Sequence, residues 1–104
     1  MTANPSDPHL ESFIEMLSAE RGAAENTLQA YRRDLDDFLD VVSRRGRNSG
    51  DATARDIASY LEVLAKRGLA SSSRARKLSA VRQFFRFLYA EGIRSDDPSA
   101  SVES

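Results

Sequence analysis

The sequence predicts an all-α protein, four helices packed as one compact bundle with short connections. Three observations predict it. Apolar residues recur at three- and four-residue spacing in four separate stretches. A glycine follows each stretch: Gly22, Gly46, Gly68 and Gly92 stand where helices stop. The period-two alternation of a strand does not compete with these stripes anywhere. The chain has 104 residues, enough for one domain. A domain of that size buries roughly 65% of the surface its unfolded chain exposes.

The first helix is expected from Pro8 to Glu20. Pro8 suits a first helical position, and Leu10, Phe13, Ile14 and Leu17 share one face. The second is expected from Asn26 to Arg45, with Asn26 as its N-cap. Its stripe is Leu28, Tyr31, Leu35, Phe38, Leu39 and Val42, and Arg44 and Arg45 suit the negative pole of its last turn. RNSGDA, Arg47 to Ala52, reads as a polar loop. The third helix begins at Thr53. T-A-R-D has the capping-box spacing, with Asp56 where Glu or Gln is usual, and Ile57, Tyr60, Leu61 and Leu64 form the stripe. The fourth runs from about Ser72 to Gly92, with Leu78, Val81, Phe84, Phe85, Leu88 and Tyr89 inward. Residues 1–8 are expected to be a disordered leader, 9–94 the domain, and 95–104 the start of a linker.

Composition excludes several functions. There is no cysteine, and His9 is the only histidine, so neither a thiolate or histidine metal site nor a Ser-His-Asp triad is expected. No apolar run approaches the ~20 residues that span a bilayer, and MTANPSDPHLES lacks a signal-peptide pattern. A cytoplasmic protein with no cofactor, no metal and no small-molecule substrate is the expectation. Asp34, Asp36, Asp37 and Asp40 read as a solvated face, and Tyr31, Tyr60 and Tyr89 as core residues rather than nucleophiles.

Net charge is −1, but the charge is polarised. From Gly68 to Arg94, six cations (Arg74, Arg76, Lys77, Arg82, Arg86, Arg94) meet only Glu91. From Glu25 to Val42, five acids meet Arg32 and Arg33. On a helical wheel the outer face of helix four carries Ser72, Ser73, Arg76, Ser79, Ala80 and Gln83, flanked by Lys77 and Arg82. These cations have almost no acidic partner four residues away, and they crowd the positive helix pole. Something outside the helix must compensate them, and phosphate suits the place. Arg74 falls on the core side. Helix two turns Asn26, Gln29, Ala30 and Arg33 outward in its first half, while Asp37 and Asp40 follow in a half that would repel phosphate.

FIEMLSAERGAAENTLQAYRRDLDDFLDVV, followed by SSSRARKLSAVRQFFRFLYAEG and DDPSASVE, resembles the N-terminal core-binding domain of tyrosine site-specific recombinases of the Xer type. The resemblance runs from Leu10 to Val102. It rests on N-T-L-x-A-Y-x-x-D-L (Asn26 to Leu35), on the serine–arginine pattern from Ser71 to Phe84, and on Asp97–Pro98. It implies a four-helix SAM-like bundle, of the phage-integrase core-binding type, that lays helices two and four across the major groove of double-stranded DNA. By position, helix two would offer Asn26, Thr27, Gln29, Ala30 and Arg33. Helix four would offer Ser72, Ser73, Arg76, Lys77 and Ala80, with Arg82 and Gln83 beside them. Gln29 and Arg76 would be the base-edge readers. The resemblance implies no catalytic residue here. Strand breakage and rejoining, as in chromosome-dimer resolution, would belong to a C-terminal catalytic domain, and sister protomers would form a tetramer on DNA. The isolated domain is expected to be monomeric and to bind DNA weakly. Phe87 reads either as peripheral core or as a contact for another domain or protomer. The alternative is a helical protein–protein interaction domain whose basic face docks an acidic partner.

Overall fold

A computed structural model describes residues 7–103. They form α1 (Pro8–Arg21), α2 (Glu25–Ser43), α3 (Ala54–Lys66) and α4 (Ser71–Ala90), and no strand is found among them. The expected leader lies outside the described residues except for its last two positions. Those two start α1: Asp7 caps it by accepting from the His9 N–H at 2.8 Å, and Pro8 takes the first helical position. Gly22 ends α1 in the left-handed conformation, φ 60°, that glycine adopts without cost.

α2 starts one residue earlier than its sequence predicts. Ala24, not Asn26, is the N-cap, and it makes no side-chain cap, so the Asn26 side chain stands free at the surface. Arg44 and Arg45 fall just beyond α2, and Arg45 reaches sideways instead of along the helix axis. The capping box of α3 forms despite its shorter acid. Thr53 Oγ1 accepts from the Asp56 N–H at 3.2 Å, and Asp56 Oδ2 accepts from the Thr53 N–H at 2.8 Å. The buried Asp56 carboxylate also takes Arg45 Nε at 2.8 Å and Arg47 Nε at 3.4 Å, which pins the end of α2 to the start of α3.

Aromatic rings organise the core. Phe13 of α1 meets Tyr31, Phe84 and Phe87, with centroids 5.5–5.8 Å away. Phe38 of α2 meets Tyr60 and Phe85 edge-on at 5.2 and 5.8 Å. Phe84 and Phe85, adjacent on α4, join the two groups. Phe87 is therefore a partly buried member of the core. The buried arc of α4 is turned further toward Ala80, Phe84 and Phe87 than the wheel predicts, because α1 and α2 both pack on that side. Two expectations are corrected by that turn. Ala80 is buried, its small side chain letting α2 come close, and Tyr89 is 55% exposed rather than core.

The segment after α4 folds back on the bundle. Arg94 is buried, its guanidinium 5.3 Å from the Phe85 ring centroid, donating to the Ser49 carbonyl at 2.9 Å and pairing with Asp96. Pro98 and Ser99 are buried, and Arg82 donates to the Val102 carbonyl. Residues 94–102 thus stay packed against the bundle.

Arg94→Ala should lower stability by about 2 kcal/mol, because the Ser49 carbonyl loses its buried donor and Phe85 its cation. Urea unfolding measures this, and faster amide exchange confined to 95–103 should accompany it. Acid should destabilise the chain through Asp37 and Asp56. Burial alone would raise both carboxyls. For Asp37 the bonds from Arg67 and Tyr60 outweigh burial, and for Asp56 those from Arg45 and Thr53 do, so both sit below the usual aspartate value. A carboxyl depressed in the folded state stabilises fully above its unfolded value, about 3.9, and loses this as pH falls through the folded value. The melting temperature should hold between about pH 7 and 5 and fall below about 4, and Asp56→Asn should shrink that fall.

Candidate nucleic-acid interface

α2 and α4 lie side by side, and between their outer edges runs an open groove of about 400 Å³. α2 contributes Asn26, Thr27, Ala30, Tyr31 and Asp34, and α4 contributes Arg76, Ser79 and Ala80. Five residues expected to contact DNA, namely Asn26, Thr27, Ala30, Arg76 and Ala80, therefore share one cleft, though they come from helices far apart in sequence. Ala30 and Ala80 keep the floor shallow. Asn26, Thr27, Ser79 and Arg76 put hydrogen-bonding groups on the rim.

The charges are arranged differently from the wheel's account. Asp34 is not part of a solvated face. Its side chain is only 4% exposed, and it accepts from Arg76 Nε and Nη2, both at 3.2 Å, and from Lys77 Nζ at 3.1 Å. Lys77 Nζ also lies 3.6 Å from Asp37, which accepts from Tyr60 OH at 2.8 Å and from Arg67. The compensation for Arg76 and Lys77 thus comes from α2. Arg76 keeps 57% of its side chain in the open, while Lys77 keeps 13% and is turned inward. Burial raises the Tyr60 hydroxyl's pKa strongly, and its bond to Asp37 adds to the rise, so Tyr60 is a fixed donor here.

The remaining expected residues spread around this centre. Gln29 is exposed and donates to Glu25 at 3.2 Å. Arg33 is exposed, and among the described residues it has no ion-pair partner; Asp37, near it in sequence, is engaged by Arg67 and Lys77. Ser72 lines a different cleft, with Leu61, Arg74, Ala75 and Leu78 between α3 and α4, and Ser73 is half-buried near it. Arg74 donates to the Leu69 carbonyl, which fits its core-side placement. Arg82 is held by the Val102 carbonyl. Gln83 is held between Arg21, from which it accepts, and the Tyr31 hydroxyl, to which it donates at 2.7 Å. Arg82 and Gln83 are therefore engaged within the domain. Ser79 joins the rim from the outward face, and its spacing of three from Arg76 was the available signal.

His9 Nδ1 lies 2.8 Å from Ser49 Oγ and 3.7 Å from Asp7 Oδ1. Both partners approach the same ring nitrogen, so this trio is not a proton relay, which needs one partner on each nitrogen. Among the described residues no group of His, Cys, Asp or Glu is placed to hold a metal ion, and no helix is long and apolar enough to cross a membrane.

Lys77→Ala should act on stability first. It strips one cation from the buried Asp34 and from Asp37, at a cost of about 2 kcal/mol. Thermal unfolding checks this, with Arg76→Ala expected to cost less because its side chain is half in water.

The chain is 54% identical over 99 residues to a protein named tyrosine recombinase XerD of Rhizobium meliloti (strain 1021), covering 95% of this chain and 32% of that protein. To the tyrosine recombinase XerD of Agrobacterium fabrum it is 52% identical over 95 residues, covering 91% of this chain and 29% of the relative. To that of Caulobacter vibrioides it is 49% identical over 92 residues, covering 88% and 30%. The chain thus spans about 30% of the length of the curated relatives it matches. Residues 10–92 match the family described as "Phage integrase, N-terminal SAM-like domain", and they hold all four helices but the first two residues of α1. The chain belongs to the phage-integrase N-terminal SAM-like domain family, with relatives among the Xer-type tyrosine recombinases.

Proposed function

We propose that this chain grips duplex DNA at a recombination half-site through the outer edges of α2 and α4. The observation that carries the proposal is the α2–α4 groove, in which Asn26, Thr27, Ala30 and Ser79 surround a half-exposed arginine. Arg33 and Gln29 extend the surface along α2, and Ser72, exposed one turn before Arg76, marks the start of α4 at the edge of the neighbouring α3–α4 cleft. No side chain caps that helix and no acid stands in its first turn, which leaves its N–H groups open to a phosphate oxygen. Phosphate contacts set position and base contacts set sequence. Arg33 does the first and Arg76 does both.

The buried ion pairs explain how a domain of net charge −1 suits this task. Asp34 and Asp37 are matched inside the fold by Arg67, Arg76 and Lys77, so the inner acids of α2 do not face an approaching phosphate backbone. Cleavage and rejoining of strands fall to parts of the recombinases that this chain does not span. In this proposal 95–103 lead toward such a domain.

A second surface fits protein contact. Tyr89 and Ile93 are exposed at the C-terminal end of α4, away from Arg76, and they suit a sister protomer in a DNA-bound tetramer.

Anisotropy titration of a labelled duplex tests the first reading. Binding should weaken steeply between about 50 and 200 mM salt, and Arg33→Ala should lower the salt slope by about one. Arg76→Ala should weaken binding several-fold at either salt. No binding at the lower salt overturns the reading.

A further inference from the structure

Asp34 is an odd residue to find in a groove that meets DNA. A carboxylate there repels phosphate, and burying one is costly unless cations answer it. Its geometry accounts for its presence. Arg76 offers Nε and Nη2 to the two Asp34 oxygens, which is the side-on edge of the guanidinium. Arginine carries five N–H donors in a rigid planar fork, so the end-on edge, one N–H each from Nη1 and Nη2, remains free. No other hydrogen bond from Arg76 is made among the described residues, and its side chain opens into the groove. Lys77 supplies the second cation on Asp34, so the carboxylate holds Arg76 without adding net negative charge to the cleft.

We propose that Asp34 is a positioning residue for sequence readout. It holds Arg76 by the side-on edge so that the end-on edge is presented, already oriented, to the O6 and N7 of a guanine in the major groove. This inference rests on the DNA-binding reading above and goes further, because it names the base and the residue that aims the reader at it. The end-on pair of donors matches the two guanine acceptors, which no other base edge presents together. A free arginine loses rotamer freedom on docking, whereas this one has already lost it in folding. Ala30 and Ala80 leave room at the groove floor for a base edge to approach.

The test is discrimination, not affinity alone. Selection from randomised duplexes of about 20 base pairs yields a preferred sequence, and affinity is then measured for it and for a shuffled duplex of equal composition. Asp34→Asn keeps the shape and removes the charge. If Asp34 only repels DNA, this variant tightens both duplexes alike, and the proposal is overturned. If Asp34 positions Arg76, the preferred-to-shuffled ratio falls about fivefold or more, the low end for one bidentate base contact. In an Arg76→Ala background the same substitution should change the ratio no further, and a persistent effect there overturns the proposal. Should Asp34→Asn lose cooperative unfolding, Arg76→Lys carries the test. It keeps the charge and lacks the fork, so the ratio should fall while the salt slope holds, and an unchanged ratio overturns the proposal. A wild-type chain that binds both duplexes equally overturns the base-edge role alone. One that binds neither at about 50 mM salt overturns the DNA reading beneath it.

Discussion

A carboxylate placed between two helices has to be answered by cations, and that requirement fixes how α2 and α4 meet. Asp34 is answered by Arg76 and Lys77, and Lys77 passes the tie on to Asp37, which holds Tyr60 and Arg67. Three helices are thereby locked in register by a few polar contacts under an aromatic core. Apolar packing alone tolerates sliding of one helix on another. An ion pair with bidentate geometry does not, because its strength falls as soon as the fork is misaligned. The same lock leaves one guanidinium edge outside, so register and surface chemistry come from one set of atoms.

The division between legible and illegible features follows sequence distance. The α3 capping box was legible because Thr53 and Asp56 are three residues apart and their geometry is local. The four helices were legible because their apolar stripes and terminal glycines are also local signals. Asp34 reads as solvated because its cations lie 42 and 43 positions away, and nothing in the neighbourhood of either partner announces the other. Lys77 reads as a flank of the outer face for the same reason. The wheel fixed which side of α4 is apolar, but the exact centre of the buried arc depends on where α1 and α2 press, so Ala80 and Tyr89 exchanged roles. Asn26 is a good cap by composition, but the chain turning at Gly22 reaches helical geometry before it, at Glu25.

The candidate interface shows the same split. Family resemblance and helical periodicity together point to α2 and α4, and five of the twelve residues so chosen line one groove. Arg82 and Gln83 share the periodicity but are tied down by Val102, Arg21 and Tyr31, partners that a wheel does not contain. A polar residue on an outward face is available to a ligand only after its intramolecular claims are counted.

The fold-back of residues 94–102 has a mechanical meaning. Arg94 is clamped against Phe85 and the Ser49 carbonyl, and Arg82 holds the Val102 carbonyl. Each anchor has a contact on α4, the helix that carries Arg76: Phe85 lies under Arg94, and Arg82 holds Val102. A pull applied to the backbone at Val102 is therefore not absorbed by slack. It loads α4 through Arg82 and Phe85, and the α2–α3 connection through Ser49. Tension on this C-terminal segment is thereby shared between α4 and the connection that joins α2 to α3.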